Sequence, residues 1–184
     1  MKLPQLILLN GTSSSGKTSI ARALQEQLAV VYLNISIDCV LYALPPSDLQ
    51  SLMNGIKIER DEYDYPQMVR GFHAAIAGLL ATGNRLIVDN AMTKSEWRVD
   101  FDAAVAAHDI LRIGVLCDLE IAKKRETARR DRAPGTAAAE FPLVHANMTY
   151  DLTVDTSVQP TGDCVASIIQ WLSTRESRWP INGV

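Results

Sequence analysis

Short apolar runs alternate with amphipathic segments along the whole chain. The runs have the length and composition of buried strands, and five are predicted, at residues 6–9, 30–37, 85–89, 111–117 and 152–155. Between them, apolar residues recur at helical spacing, as in Val69/Phe72/Ile76/Leu79, Trp97/Phe101/Val105 and Val165/Ile168/Ile169/Leu172. Strands that alternate with helices form parallel sheets covered on both sides. The pattern therefore predicts an α/β fold, a mostly parallel five-stranded sheet with helices on both faces.

The first apolar run leads directly into a glycine-rich loop, Gly11-Thr12-Ser13-Ser14-Ser15-Gly16-Lys17-Thr18. This loop fulfils every position of the phosphate-binding pattern G-x-x-x-x-G-K-[ST]. Its glycines let the backbone wrap around phosphate oxygens, and the amides of the loop and of the next helix supply partial positive charge. Lys17 would contact the β- and γ-phosphates, and the Thr18 hydroxyl would ligate the bridging Mg²⁺. A chance match in a Gly/Ser-rich turn is disfavoured because a strand and a helix flank the loop.

Three acidic residues follow predicted strands, and ligands of open α/β sheets bind beyond the carboxyl ends of strands. Asp89 is a candidate for the second acid of the nucleotide site, which binds Mg²⁺ directly or through water. Asp38 follows the strand expected beside the loop, where it could take a proton from an acceptor hydroxyl. A helix N-cap is the alternative role for both residues. Asp118 is predicted to be only an N-cap.

A basic helical segment over residues 119–130 follows Asp118. Arg125 and Arg129 of this segment and Arg132 just after it are spaced i, i+4 and i+7, which predicts one cationic helix face. Such a face would stabilise negative charge on a transferring phosphoryl group. A solvated face paired with neighbouring acids is an equally open alternative.

Small residues fill positions 133–139, directly after the basic segment. Their composition is typical of a turn-rich flap. We expect a lid region over about residues 126–140 that closes over the nucleotide and excludes competing water.

Composition limits the classes of partner. The chain has 184 residues, 47% of them hydrophobic, and a formal net charge of −3, which predicts one domain over residues 1–175 and a fraying tail over 176–184. The acidic balance offers no broad basic field, so nucleic acid is not favoured as a partner. No segment approaches membrane-spanning length.

Three cysteines, Cys39, Cys117 and Cys164, stand at no metal-ligand or redox-motif spacing. Such cysteines are typical of reduced thiols inside the cell. The expected location is the cytoplasm.

Residues over nearly the whole chain resemble the chloramphenicol phosphotransferase family. The resemblance rests on Asn10 with the phosphate loop, Ile37-Asp38, Leu44-Pro45, the Asp89 strand, the stretch 125–132, Val144-His145, Tyr150-Asp151 and Val154-Asp155-Thr156. It implies a P-loop nucleoside triphosphate kinase fold that moves the γ-phosphate of ATP to a primary hydroxyl of chloramphenicol.

The resemblance also implies roles for single residues. Asp38 matches the general base of the family. Lys17 and Thr18 match its phosphate and Mg²⁺ positions, while Arg129 and Arg132 match the arginines of its lid region. These roles agree with those drawn from the motif.

Two features depart from the family pattern. Asn90 stands where a second acid follows Asp89 in the family, and residues 45–66 are only loosely similar to the corresponding insertion. Long connections of this kind are commonly binding loops, so this segment is expected to determine the acceptor. Within it, Tyr63 and Tyr65 could stack on a substrate or could simply pack.

The sequence thus predicts an ATP- and Mg²⁺-dependent kinase of a small hydroxyl compound, chloramphenicol or a similar molecule, with Asp38 as base. A kinase of another acceptor, such as a nucleotide sugar, is one alternative. A non-catalytic nucleotide switch is another, although no Asn-Lys-x-Asp guanine-binding motif is present. No particular oligomeric state is predicted.

Overall fold

A computed structural model describes residues 3–129 and 133–175 of the chain. The predicted tail 176–184 and Arg132 lie outside these described residues. The five strands are β1 (Leu6–Asn10), β2 (Leu33–Ser36), β3 (Leu86–Asn90), β4 (Ile110–Leu116) and β5 (Leu152–Asp155). They form one parallel sheet in the order β2-β3-β1-β4-β5, which confirms the predicted fold class.

Helices connect the strands and cover both faces of the sheet. They are α1 (Lys17–Gln27), α2 (Asp38–Leu41), α3 (Pro46–Met53), α4 (Tyr65–Ala81), α5 (Ser95–Val105), α6 (Leu119–Thr127), α7 (Thr136–Val144) and α8 (Thr161–Thr174). Side chains of β1 alternate between two buried clusters: Ile7 and Leu9 pack with α1 and α8, whereas Leu6 and Leu8 pack with α4 and α5. Because β1 is central and buried on both faces, every residue in it is apolar until Asn10.

Strand register brings the candidate residues to one edge of the sheet. Leu9 of β1 lies opposite Asp89 of β3, and Ser36 of β2 lies opposite Asp89 on the other side. Asp38 begins α2 just beyond β2. The expectation that this strand lies beside the phosphate loop was wrong, because β3 separates β2 from β1.

The predicted strand 30–37 is too long at its start. β2 begins at Leu33, which pairs with the first residue of β3, Leu86, and Val31 before it is 80% exposed. β2 is an edge strand that pairs with β3. Residues 30–32 come before the first paired residue, so they have no neighbouring strand with which to form sheet hydrogen bonds. An apolar run alone does not indicate where that partner begins.

The predicted basic helix 119–130 is also too long. Asp118 caps α6 as expected, accepting from the amides of Glu120 and Ile121. The helix ends at Thr127, where the buried Glu126 carboxylate accepts from the Gly135 and Ala137 amides at 2.9 and 2.7 Å. The prediction that Arg125 and Arg129 share one helix face was therefore wrong.

Two predicted connections contain helices. Residues 136–139, predicted as part of a turn-rich flap, begin α7, because alanine has the highest helix propensity and Glu126 fixes its first turn. The connection 45–66 contains α3.

No helix in the described part of the chain has the length and apolar character needed to cross a membrane. The three cysteines form no disulfide; Cys39 is exposed, and Cys117 and Cys164 are buried.

Candidate active site

The phosphate-binding loop lies against the end of β4. A Cβ atom at position 11 would overlap the Val115 carbonyl oxygen, so only glycine fits there. At the other end of the loop, Gly16 has a φ of 94° and occupies the N-cap position of α1, a conformation that favours glycine. The two glycines are therefore required by close approach and by backbone conformation respectively.

The loop has unsatisfied polar groups. The hydroxyl oxygens of Ser13, Ser14 and Ser15 are buried and have no hydrogen-bond partner among the described residues. Buried polar groups normally have partners, and these hydroxyls lie beside the amides at the start of α1. Their chemistry fits a phosphate group, whose oxygens accept hydrogen bonds.

Lys17, Thr18 and Asp89 lie together at the start of α1. Lys17 Nζ donates to the carbonyl oxygens of Gly11 and Thr12, both at 2.8 Å, and lies 3.7 Å from Asp89 Oδ1. The Thr18 hydroxyl donates to Asp89 Oδ2 at 2.5 Å. Asp89 is only 8% exposed and lies inside β3, so it caps no helix. Its carboxylate and the Thr18 hydroxyl are hard oxygen ligands, which suits Mg²⁺ with phosphate and water completing the shell.

A first cavity, of about 550 Å³, opens over this loop. Arg125 and Arg129 line it together with Gln159 and Thr156 from the segment after β5. The structure thus brings Arg129 to the phosphate loop although α6 ends before it. Arg132 lies outside the described residues.

A second cavity, of about 300 Å³, adjoins the first. Ser13, Lys17 and Asp89 line both cavities, whereas Asp38 lines only the second. The N-cap position of α2 is Ile37, with no capping side chain, so Asp38 does not have the capping role considered above.

The wall of the second cavity is largely apolar and aromatic. It is formed mainly by side chains of α2, α3 and the connection to α4: Leu41, Tyr42, Leu49, Leu52, Met53, Tyr63 and Tyr65. Burial raises the pKa of the Tyr63 hydroxyl. Asn90 also lines this cavity, and its side-chain oxygen accepts from the Ala91 amide at 2.8 Å. Of the described residues around it, Lys17 is the only lysine or arginine.

Helix α7 contacts the phosphate loop directly. Glu140 Oε2 accepts from the Ser13 amide at 2.6 Å, and the Thr12 hydroxyl donates to the Ala137 carbonyl oxygen at 3.1 Å. Sequence reasoning missed Glu140, because no local pattern links it to a loop more than a hundred residues earlier. The Glu140 carboxylate thus accepts from the Ser13 N–H group, which would otherwise face an anion bound at the loop.

A buried polar network lies behind the loop. Asn10 Nδ2 donates to the Val144 carbonyl oxygen at 2.8 Å and to the Tyr150 hydroxyl oxygen at 2.7 Å, and Asn10 Oδ1 accepts from the Met92 amide. The Tyr150 hydroxyl lies 2.7 Å from His145 Nδ1. Burial, and secondarily the charge of Lys17, lowers the pKa of His145, and burial raises that of Tyr150. This network ties β1 to the end of α7.

The phosphate loop, the parallel sheet and the adjoining cavities define a P-loop kinase. The chain belongs to the family described as chloramphenicol phosphotransferase-like protein, whose model matches residues 4–173, in agreement with the resemblance described above. A Mycobacterium tuberculosis (strain H37Rv) protein named as a putative O-phosphotransferase is 32% identical over 172 residues, covering 85% of this chain and 76% of that protein.

Solved structures share the fold. A sugar kinase from Janibacter sp. HTCC2649 superimposes with a TM-score of 0.67 at 18% identity, covering 91% of this chain and 94% of that one. The Mycobacterium tuberculosis APS kinase, in complex with AMPPNP and APS, gives 0.65 at 17% identity, with 92% and 97% covered. Shikimate kinase from Acinetobacter baumannii, in complex with shikimate, gives 0.60 at 16% identity, with 94% of each chain covered.

Proposed function

We propose that the protein is an ATP- and Mg²⁺-dependent O-phosphotransferase whose acceptor is a hydroxyl group of a small, uncharged molecule. The observation that carries this proposal is the meeting of the two cavities at Ser13, Lys17 and Asp89, with Asp38 among the residues that line the second. A nucleotide in the first cavity and an alcohol in the second would meet beside Lys17. The first is therefore called the nucleotide cavity below, and the second the acceptor cavity.

Asp38 is the proposed general base. Its carboxylate accepts the hydroxyl proton while the acceptor oxygen attacks the γ-phosphorus in line. A new oxygen–phosphorus bond forms as the bond to the β,γ-bridging oxygen breaks, and ADP leaves. Lys17 and the loop amides hold the phosphates and offset their negative charge.

Other polar and charged residues would assist this transfer. Thr18 and Asp89 would hold Mg²⁺, which when bound neutralises phosphate charge. Arg129 lines the nucleotide cavity, and with Arg132, in the predicted lid region 126–140, it is proposed to contact the phosphates. The free cysteines fit the cytoplasm, where thiols stay reduced and ATP is present.

The acceptor class follows from the wall of the second cavity. Apolar and aromatic side chains dominate it, and Lys17, which the nucleotide would engage, is the only cation among its described residues. An acceptor that carries phosphates, such as a nucleotide sugar, would bring buried charges without partners there. A neutral alcohol fits better, and the family makes chloramphenicol the first candidate.

The test is a transfer assay with the full chain, Mg²⁺-ATP and chloramphenicol, following ADP release and phosphorylated product by mass spectrometry. Asp38→Asn should lower kcat by about 10²- to 10⁴-fold and leave the Kd for ATP within about twofold. Asp61→Asn, at an exposed position outside both cavities, is the matched control and should behave like the wild type.

Other outcomes of this assay have clear meanings. An Asp38→Asn variant that keeps its turnover would exclude Asp38 as base. ATP binding without chloramphenicol phosphorylation would favour another acceptor, sought in a panel of neutral alcohols and nucleotide sugars. ATP binding without transfer to any of these would support a nucleotide switch, and absence of nucleotide binding would contradict the proposal.

A further inference from the structure

Thr156 follows β5 directly, and its side chain points to the phosphate loop. The residue is 8% exposed. Its hydroxyl donates to the Ser15 carbonyl oxygen at 2.7 Å and accepts from Arg125 Nη1 at 3.1 Å; the Leu116 carbonyl oxygen is farther away, at 3.3 Å. Arg125 Nη2 also donates to the Thr156 carbonyl oxygen at 2.9 Å. One buried hydroxyl therefore joins the loop backbone to an arginine of the nucleotide cavity.

The hydrogen bond to Ser15 fixes one peptide plane. In a trans peptide the carbonyl group and the following N–H group point in opposite directions, and the chain has no cis peptide among its described residues. A Ser15 carbonyl held by Thr156 therefore turns the Gly16 N–H away from Thr156. This N–H belongs to the turn of the motif where amides face phosphate.

Gly16 cannot fix this plane by itself. Its φ is 94°, and glycine moves between backbone regions at small energetic cost. A rotation of the plane would turn the Ser15 carbonyl oxygen towards the anion site and withdraw one donor.

We propose that Thr156 is a positioning residue for phosphate binding. Its hydroxyl holds the Ser15–Gly16 peptide with the N–H group towards the β-phosphate, and it holds Arg125 at the side of the same cavity. This inference rests on the proposed nucleotide site. It assigns Thr156 a role in binding the phosphates of the nucleotide. This role involves neither the adenosine group nor the acceptor.

The test compares ADP and AMP binding by calorimetry, because AMP lacks the β-phosphate. Thr156→Val keeps the side-chain shape and removes the hydroxyl, and it should weaken ADP binding by about tenfold while AMP binding stays within about twofold. Thr156→Ser keeps the hydroxyl and should restore ADP affinity. In the transfer assay, Thr156→Val should raise the KM for ATP and leave the KM for the acceptor unchanged. Thr153→Val, at an exposed position of β5, is the control.

Each other result is informative. Equal losses of ADP and AMP affinity in Thr156→Val, or a failure of Thr156→Ser to restore ADP binding, would overturn the inference, since a packing defect does not distinguish phosphates. If thermal unfolding shows that Thr156→Val does not fold, a comparison of Thr156→Ala with Thr156→Ser gives the same test of the hydroxyl. A wild type that binds neither nucleotide would refute the proposed function instead.

Discussion

The two cavities meet at Lys17, but they are built in different ways. The phosphate-binding part of the nucleotide cavity is organised by eight consecutive residues, 11–18, at the end of β1 and the start of α1, and distant residues such as Arg125 and Thr156 complete its lining. The wall of the acceptor cavity comes from residues 36–65, 89–91 and 133–140, which only folding brings together. A sequence motif can therefore predict the phosphate-binding part of the nucleotide cavity, whereas the chemical character of the acceptor cavity is visible only in three dimensions.

The two cavities also differ in what recognises the ligand. Backbone amides and buried hydroxyls are the proposed phosphate ligands, and amides remain when side chains change. The acceptor wall consists of side chains such as Leu52 and Tyr63, each of which can vary alone. Changes in the acceptor wall should therefore alter the choice of acceptor without altering nucleotide affinity.

The largest effect on both cavities together is expected from Lys17→Ala, because Lys17 lines both of them. Removing its charge should lower kcat/KM by about 10²-fold or more and weaken ATP binding as well. Steady-state kinetics and calorimetry with ATP would measure both changes. The control is Lys124→Ala, at an exposed position of α6. Loss of acceptor binding alone in Lys17→Ala would show that the two cavities are not joined there.

A smaller effect, confined to one cavity, is expected from Leu52→Ala. The shorter side chain loses apolar contact with the acceptor, which should raise the acceptor KM by about tenfold and leave the KM for ATP unchanged. Leu143→Ala on α7, at an exposed position outside both cavities, is the control. A parallel rise in the KM for ATP would mean that the two cavities respond as one unit.

The sequence predicted the elements that depend on local signals. All five strands were found: β1, β3 and β4 stand out as largely buried apolar runs, and β5 has the predicted bounds. The Asp118 cap was also found, because a capping side chain acts on amides two and three residues away. The phosphate loop was found because its motif is contiguous.

Features set by distant partners were not predictable in this way. α6 ends early because Glu126 binds amides that begin α7, and β2 begins where β3 offers a partner. Glu140 at the Ser13 amide and Thr156 at the Ser15 carbonyl join positions more than a hundred residues apart. Thr156 did belong to a segment singled out by family resemblance, but its hydrogen bonds could not be read from that segment.

Glu140 offers a third prediction, because it belongs to the acceptor wall yet binds the phosphate loop. Its carboxylate and an incoming phosphate would compete for the Ser13 amide. Glu140→Gln removes the negative charge, and the affinity for ATP should rise by about threefold. Calorimetry would measure this, with Glu26→Gln, at an exposed position of α1 outside both cavities, as control. A fall in ATP affinity would instead assign Glu140 a supporting role.

The smallest effect concerns the pH dependence of stability. It tests whether the charge of Lys17 influences His145 in the buried network behind the phosphate loop. Burial, with a lesser contribution from the Lys17 charge, lowers the pKa of His145 below its ordinary value of 6.5. The unfolded chain therefore takes up a proton at a higher pH than the folded chain does, so His145 makes the protein less stable as the pH falls below 6.5.

This loss of stability should be smaller in His145→Asn, whose side-chain oxygen can still accept from the Tyr150 hydroxyl. Urea unfolding at about pH 7.5 and about pH 5.5 would measure it, because a histidine titrates between these values. Lys17→Ala should reduce the same pH dependence only in part, since burial is the larger cause of the lowered pKa. An identical pH dependence in wild type and His145→Asn would show that this histidine does not link folding to protonation, and an unchanged pH dependence in Lys17→Ala would show that the Lys17 charge has no influence on it.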